Sequence, residues 1–421
     1  MMSDKKRVVV TGLGVVSCFG NEVDPFYEAL LTGKSGVKKI EKMPVEEYAV
    51  QIGGEITDFE VGDYMDPKMA RRMDPFIHYA MVAGKKALEY GGIDIETLDK
   101  SRCGILVGSG MGGMESFSAG VETLITKGYK RISPFFIPSI ITNMAGGMLA
   151  IDLGFTGPNY SVSTACATGN HAIIAALKHI RAGDADLMLC GGCEAPITPI
   201  GLTPFITCKA LTRETDPPEK ASRPWDTERS GFVMGEGAGV LVLESLEHAK
   251  KRGARIYAEV VGGAIGCDAY HMTDPRPDGS GAATIIGKAL ADGHVSVEDV
   301  GYVNAHATST KVGDSAEIAA LRKALGSQIS NVKMNATKSM TGHCLGAAAA
   351  IEAIVTVKAC MTGRVHPTLN CENPDPCVEG INCCTDPSAV GGLEWQGDLA
   401  LSNSFGFGGH NSCVIFRRWK P

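Results

Sequence analysis

Cys166 sits at a join in "SVSTACATGNHAII" (Ser161 to Ile174), where strand-like alternation up to Ser163 gives way to helical spacing from Ala167. Free cysteine is among the most buried residue types, and most of the 14 cysteines here read as core filling. The local pattern sets Cys166 apart. Ala172, Ile173, Ala176, Leu177 and Ile180 share one helical face, and Arg181 and Gly183 close that helix. The thiol is therefore expected at a helix N-terminus, where unpaired N–H groups and the helix dipole favour a thiolate. Small residues around it leave room for a carbonyl to approach. Nucleophiles of acyl transfer use such a strand-to-helix elbow, and they need a base.

Of the ten histidines, two stand apart. His306 lies in "NAHATST", just past a strand and followed by small hydroxylated residues. His343 lies in "TKSMTGHCLG", at the expected start of an alanine-rich helix and five residues after Lys338. An imidazole at a helix N-terminus holds a proton poorly and serves as a neutral hydrogen-bond donor to a developing oxyanion. Either alone reads most simply as structural. With Cys166 on a matching turn, the three read as one site. His179, His248 and His294 read as surface or helix-end residues.

The elements that position these groups alternate along the chain. Strands such as "RVVVTGLG", "CGILVGSG" and "ADLMLCGG" are interleaved with helices, an α/β pattern with mixed sheets. A second round begins at "RIYAEVVGGAIG", and its turn "MTGHCLGAAAAIEAI" echoes "STACATGNHAII". Two similar halves are expected, residues 1–254 with the cysteine and 255–421 with both histidines, packed so that the two turns meet.

Composition narrows the function. Of 421 residues, 44% are hydrophobic and 21% charged, as in a soluble globular protein. The net charge of −7 argues against a nucleic-acid binder. Cysteines without framework spacing point to a reducing compartment. The pairs Cys190/Cys193 and Cys383/Cys384 have no matching second pair for zinc and read as packing. "TGLGVVS" has Ser17 in place of the third glycine of a dinucleotide loop, so no nucleotide cofactor is expected. The start "MMSDKKRVVVTG" runs at once into a strand with no apolar leader, and no stretch of about 18 apolar residues suggests a membrane span. Basic runs occur at Lys68, Arg71 and Arg72, and at Lys127, Lys130 and Arg131; by themselves they read as solvated helix faces.

"STACATGN", "NAHATST", "NATKSMTGHCLGAA" and "SNSFGFGGHN" resemble, in order, the four signature blocks of the elongating β-ketoacyl-[acyl-carrier-protein] synthases. These are thiolase-fold condensing enzymes of the Cys-His-His class, and the resemblance runs from about Arg7 to the C-terminus. Within the group the blocks look most like the plant plastid type I enzymes. The resemblance implies two βαβαβαββ halves in an αβαβα layered sandwich, and a homodimer. It also implies decarboxylative condensation of a malonyl unit with an acyl chain held on Cys166, with acyl carrier protein as partner.

Residue by residue, it implies an oxyanion hole from the N–H groups of Cys166 and Phe405, with Phe405 as the gating phenylalanine. His306 and His343 would stabilise the enolate, and Lys338 would organise them with Glu352 as its ion-pair partner. Thr308 and Thr310 match positions that bind the phosphopantetheine arm, and Asp314 and Glu317 match supporting positions behind them. Lys68, Arg71, Arg72 and Lys209 fall where the family contacts its acidic carrier, which converts the first basic run into a docking surface. Met111 falls at the acyl pocket. Asn403 matches a structural cation position seen in parts of the family; no metal or organic cofactor is expected in the chemistry. The remaining alternatives are a stand-alone polyketide ketosynthase, a chain-length-factor-like partner, which would lack the nucleophile, and a cysteine hydrolase, which would leave Lys338 and the second histidine unused. A thiolase would need a second cysteine where "SFGFGGHN" has none. The implied compartment is the plastid stroma, or alternatively a bacterial cytoplasm.

Overall fold

The computed structural model describes residues 5–420. The outermost positions of the two expected halves, 1–4 and 421, lie outside the described residues. Nine strands form one large sheet: β1 (Val8–Val16), β2 (Cys103–Gly108), β3 (Leu187–Glu194), β4 (Gly237–Ser245), β5 (Ala258–Cys267), β6 (Val300–Asn304), β7 (Lys333–Asn335), β8 (Leu399–Gly406) and β9 (His410–Arg418). Their spatial order is β2-β3-β4-β1-β5-β9-β8-β6-β7.

That order contains a repeat. In β2-β3-β4-β1 the first pairing is parallel and the next two antiparallel. In β6-β8-β9-β5 the same senses recur. The two runs join edge to edge through three pairs only, Val8–Val260, Val9–Glu259 and Val10–Ala258. The second run is extended by β7, whose counterpart beside β2 is reduced to an isolated bridge, Ile105–Asn159. The strand expected up to Ser163 is therefore not formed; beside β2 the segment makes only that bridge.

The helices that matter for the site are α1 (Pro75–Tyr90), α2 (Met114–Lys127), α3 (Met144–Leu153), α4 (Thr168–Ala182), α5 (Pro199–Thr207), α6 (Ser280–Gly293), α7 (Lys311–Leu325) and α8 (Ala348–Thr362). One core joins Ile173 and Leu177 of α4 and Ile351 and Ile354 of α8 to Leu106 and Leu241 of the first run and Val260 and Val414 of the second. A second core lies outside the first run, where α1 and α3 bring Phe76 and Leu149 against Val107 and Val240. A third lies outside the second run, where α6 and α7 bring Ile286 and Leu321 against Val303 and Ile415. These are the five layers α, β, α, β, α.

The central helices approach closely. A Cβ on Gly169 of α4 would come within 2.5 Å of the Ala350 nitrogen of α8, so only glycine fits there. Residues Leu345–Thr362 are, against expectation, apolar and long enough to cross a membrane. They are 89% buried in the protein, the behaviour of a helix that is hydrophobic all round because it is central.

Candidate active site

The two central helices begin at a shared cavity of about 620 Å³, lined by Cys166, His306, His343, Thr308, Thr310 and Phe405 among others. Cys166 reaches it from an elbow. Ala165 takes a left-handed φ of +49°, Ala167 caps α4, and Gly406 packs where a Cβ would come within 2.7 Å of the Thr164 oxygen. Ser404 Oγ donates to the Cys166 carbonyl at 2.9 Å.

Burial pushes the Cys166 thiol up to about 12, against the opposing pull of the Lys338 charge and of backbone N–H groups. The expected resting thiolate is thus replaced by a thiol, because desolvation of a sulfur only 8% exposed outweighs the helix end. Backbone N–H groups of Cys166 itself and of Phe407 act on the sulfur, each easing its ionisation. The resemblance names Phe405 for the second of these N–H groups, and the amide that acts on the sulfur here is that of Phe407. Phe405 stays inside β8, paired with Asn411, and its ring packs edge-on to His306 at 5.6 Å between centroids. Phe407 lies just past the end of β8 between Gly406 and Gly408 and lines the cavity, with its ring centroid 6.3 Å from that of Phe205.

His306 follows β6. Glu317 of α7 fixes its backbone by accepting the N–H groups of His306 at 2.9 Å and Ala307 at 2.8 Å. Lys338 Nζ donates to the His306 carbonyl at 2.6 Å and to Glu352 Oε1 at 2.5 Å, and lies 3.3 Å from His306 Nδ1. An ammonium only donates, so Nδ1 is the acceptor and Nε2 carries the ring proton.

His343 follows the short turn Lys338–Thr341 and lies two residues before the continuous helical stretch Leu345–Thr362, whose first turn, Leu345–Ala347, is a 3-10 turn leading into α8. Its pKa still lies well below the ordinary range, through burial first and then the Lys338 charge. His306 is lowered for the same reasons, with His343 adding to them. Both imidazoles are therefore neutral, and their rings meet edge to face, 5.4 Å apart at 86°.

Thr308 and Thr310 project hydroxyls 3.0 Å apart into the cavity wall. Asp314 accepts the Ser309 and Trp225 N–H groups at 3.1 and 3.0 Å. Burial raises Asp314 to about 6 and Glu317 to about 7, while Glu352, buried against Lys338, rises to about 7. Asn403 Nδ2 lies 3.4 Å from Glu317 Oε1, and its buried Oδ1 has no protein partner.

Met111 and Lys209 line the cavity, the latter exposed. Lys68, Arg71 and Arg72 are exposed but do not line it, and the Arg72 guanidinium stacks over Phe135 at 4.3 Å. Cys190, Cys193, Cys383 and Cys384 are buried within the apolar cores.

Sequence reasoning missed Phe407 and Glu194. Glu194 ends β3 inside the cavity wall, and its buried carboxylate accepts Ser109 Oγ (2.6 Å) and the N–H groups of Gly110, Met111 and Gly346 at 2.8 to 3.1 Å. It ties the Met111 loop to the turn after His343. An acid at the end of the otherwise apolar "LMLCGGCE" was the available signal.

Two repeated halves around paired central helices, with one thiol and two neutral imidazoles at their meeting point, define a thiolase-like condensing enzyme. The chain belongs to the beta-ketoacyl synthase family: residues 5–249 match the family's N-terminal domain and 257–372 its C-terminal domain. It is 56% identical to 3-oxoacyl-[acyl-carrier-protein] synthase I, chloroplastic, of Arabidopsis thaliana, over 99% of this chain and 88% of that protein. It is 48% identical to 3-oxoacyl-[acyl-carrier-protein] synthase 2 of Vibrio cholerae, over 98% and 99%. Among solved structures, a beta-ketoacyl synthase from Burkholderia phymatum superposes with a TM-score of 0.91 at 32% identity, covering 99% of this chain and all of that one. A type II polyketide ketosynthase, solved in complex with its acyl-carrier protein, superposes with 0.89 at 34% identity over 99% and 100%.

Proposed function

We propose that the protein extends acyl chains by two carbons in fatty acid biosynthesis, condensing malonyl-acyl carrier protein with an acyl group held on Cys166. The reading rests on one juxtaposition: Cys166, His306 and His343 share a cavity, and the buried Lys338 stands behind His306. A carrier-borne thioester enters and the Cys166 sulfur attacks its carbonyl. The thiol proton leaves through a neutral imidazole to the departing pantetheine sulfur, and the N–H groups of Cys166 and Phe407 hold the oxyanion. The acyl chain remains on Cys166.

Malonyl-carrier protein follows. Its thioester oxygen accepts from His306 Nε2–H and from His343, so loss of CO₂ leaves an enolate rather than a bare carbanion. That carbon attacks the acyl-Cys166 carbonyl, the C–S bond breaks, and the thiolate set free takes up a proton from solvent. The chemistry calls for no resident cofactor, since the phosphopantetheine arm arrives with the carrier and meets Thr308 and Thr310.

Lys209 at the cavity and the exposed Lys68, Arg71 and Arg72 supply positive surface for an acidic carrier. A second copy covers the exposed apolar face of α2. Identity to the chloroplastic relative, 56% against 48% for the bacterial one, supports a plastid stroma. An elongation assay with malonyl-carrier protein and acyl-carrier proteins of graded length tests the reading. Two-carbon products from the native protein and none from Cys166→Ala are expected. Hydrolysis of the acyl thioester alone, or products surviving Cys166→Ala, would sink it.

A further inference from the structure

The loop that carries His306, Thr308 and Thr310 is strained. Ala307 and Ser309 take φ values of +23° and +68°, a region that residues with a Cβ hold only when their surroundings impose it. Glu317 and Asp314 hold the loop's N–H groups from the α7 side. The carbonyl side is held by a residue outside both catalytic blocks. Arg229 lies between α5 and β4 in "WDTERSGFVMG" and is 2% exposed. Its Nε donates to the Thr310 carbonyl at 3.2 Å, and Nη2 donates to the Lys311 carbonyl at 3.1 Å and to Ser315 Oγ at 3.0 Å. Its Nη1 donates to the Asp226 carbonyl and to Asp375 Oδ2, both at 2.8 Å. The planar fork is fully used, which a lysine at this position could not reproduce. Two residues on, the Gly231 N–H donates to the Ser309 carbonyl at 3.1 Å.

We propose that Arg229 is a positioning residue that holds the Thr308–Lys311 loop in its strained form and thereby sets affinity for the phosphopantetheine arm. The inference rests on the condensing function proposed above. Arg229 does not line the cavity and makes no hydrogen bond to Cys166, His306, His343 or Lys338. Its loss therefore acts on arm binding and leaves the reactivity of the thiol alone.

The test compares Arg229→Met with wild type in steady-state condensation and in alkylation of Cys166 by iodoacetamide, a reagent without an arm. The expected result is a KM for acyl-carrier protein raised about tenfold, with kcat and the alkylation rate within about threefold of wild type. An unchanged KM in a folded variant overturns the proposal, and so does an alkylation rate that falls in step with kcat/KM, which marks general damage. Should Arg229→Met fail to fold, Asp375→Asn decides, because it keeps the arginine and removes the carboxylate that orients it. A KM raised about two- to fivefold then supports the proposal, and an unchanged KM ends it. A wild-type protein that does not condense at all would instead indict the proposed function.

Discussion

Lys338 Nζ stands 2.6 Å from the backbone oxygen of His306 and 3.3 Å from its ring Nδ1, so one buried side chain fixes both position and tautomer of the imidazole. The same atom meets Glu352 at 2.5 Å and lowers the cost of forming a thiolate on Cys166. Lys338→Met removes all three effects. Condensation is expected to fall about 10²- to 10³-fold in kcat, the scale of losing one preorganised electrostatic group. The thiol loses its nearest cation, so the pH profile of Cys166 alkylation shifts upward. An unshifted profile would separate Lys338 from the nucleophile.

Glu317 makes activity and stability respond to pH in opposite directions. Burial holds its carboxyl at about 7, well above the ordinary range. Between about 4.3 and that value the folded state keeps a proton that the unfolded chain has released, so this group's contribution to stability falls as pH rises through the window. Activity moves the other way, because the ionised form accepts from His306 and Ala307 more strongly than the acid does. Glu317→Gln presents an NH₂ to one of those N–H groups and mimics the protonated acid. It is expected to flatten the acid limb of the kcat profile and to cost about tenfold at pH 8. From pH 8 to pH 5, wild type should gain on the order of 3 kcal/mol of unfolding free energy over the variant, a difference read by denaturant titration.

Phe407 contributes through its backbone. Phe407→Ala keeps the N–H that points at Cys166 and is expected to hold the acyl-transfer rate within about tenfold, whereas Phe407→Pro removes the donor and costs about 10²-fold or more. Burst measurements of Cys166 acylation distinguish the two. Equal losses in both variants would mean that the ring, rather than the amide, matters.

That Cys166, His306, His343 and Lys338 come together was legible because each sits in a short run of small residues bounded by an element end, a pattern with few structural uses. Their electrostatics were not. The thiol was read from its helix end and His343 from the helix that follows it, whereas burial dominates both. Phe405 and Phe407 are two residues apart in a glycine-rich run, and only the hairpin geometry, with β8 ending at Gly406, shows which amide turns inward. Arg229 left no local trace, since its partners lie in segments about 80 and 146 residues away. The repeat of the two halves was visible in the echoing turns, but not the bridge between β1 and β5 that joins them.

The exposed face of α2 carries the last prediction. Phe117, Val121, Leu124 and Ile125 lie at positions i, i+4, i+7 and i+8, so one side of the helix is apolar, and Ile125 is 77% exposed. Ile137 and Ile141 add to the same region of exposed apolar surface, more than isolated surface residues account for. The proposed second copy would cover it, which makes Leu124→Glu with Ile125→Glu a dissociating pair: sedimentation should show a dimer for wild type and a monomer for the variant at micromolar concentration. The helix begins at Met114, and the turn before it carries Gly110 and Met111 of the acyl cavity, held by Glu194. Loosening α2 therefore loosens the cavity wall. The monomeric variant is expected to lose the longest acyl chains first, by about tenfold in kcat/KM for two methylenes of lost contact, while the shortest accepted chains keep their rate. A monomer with an unchanged chain-length profile would show that α2 serves assembly alone.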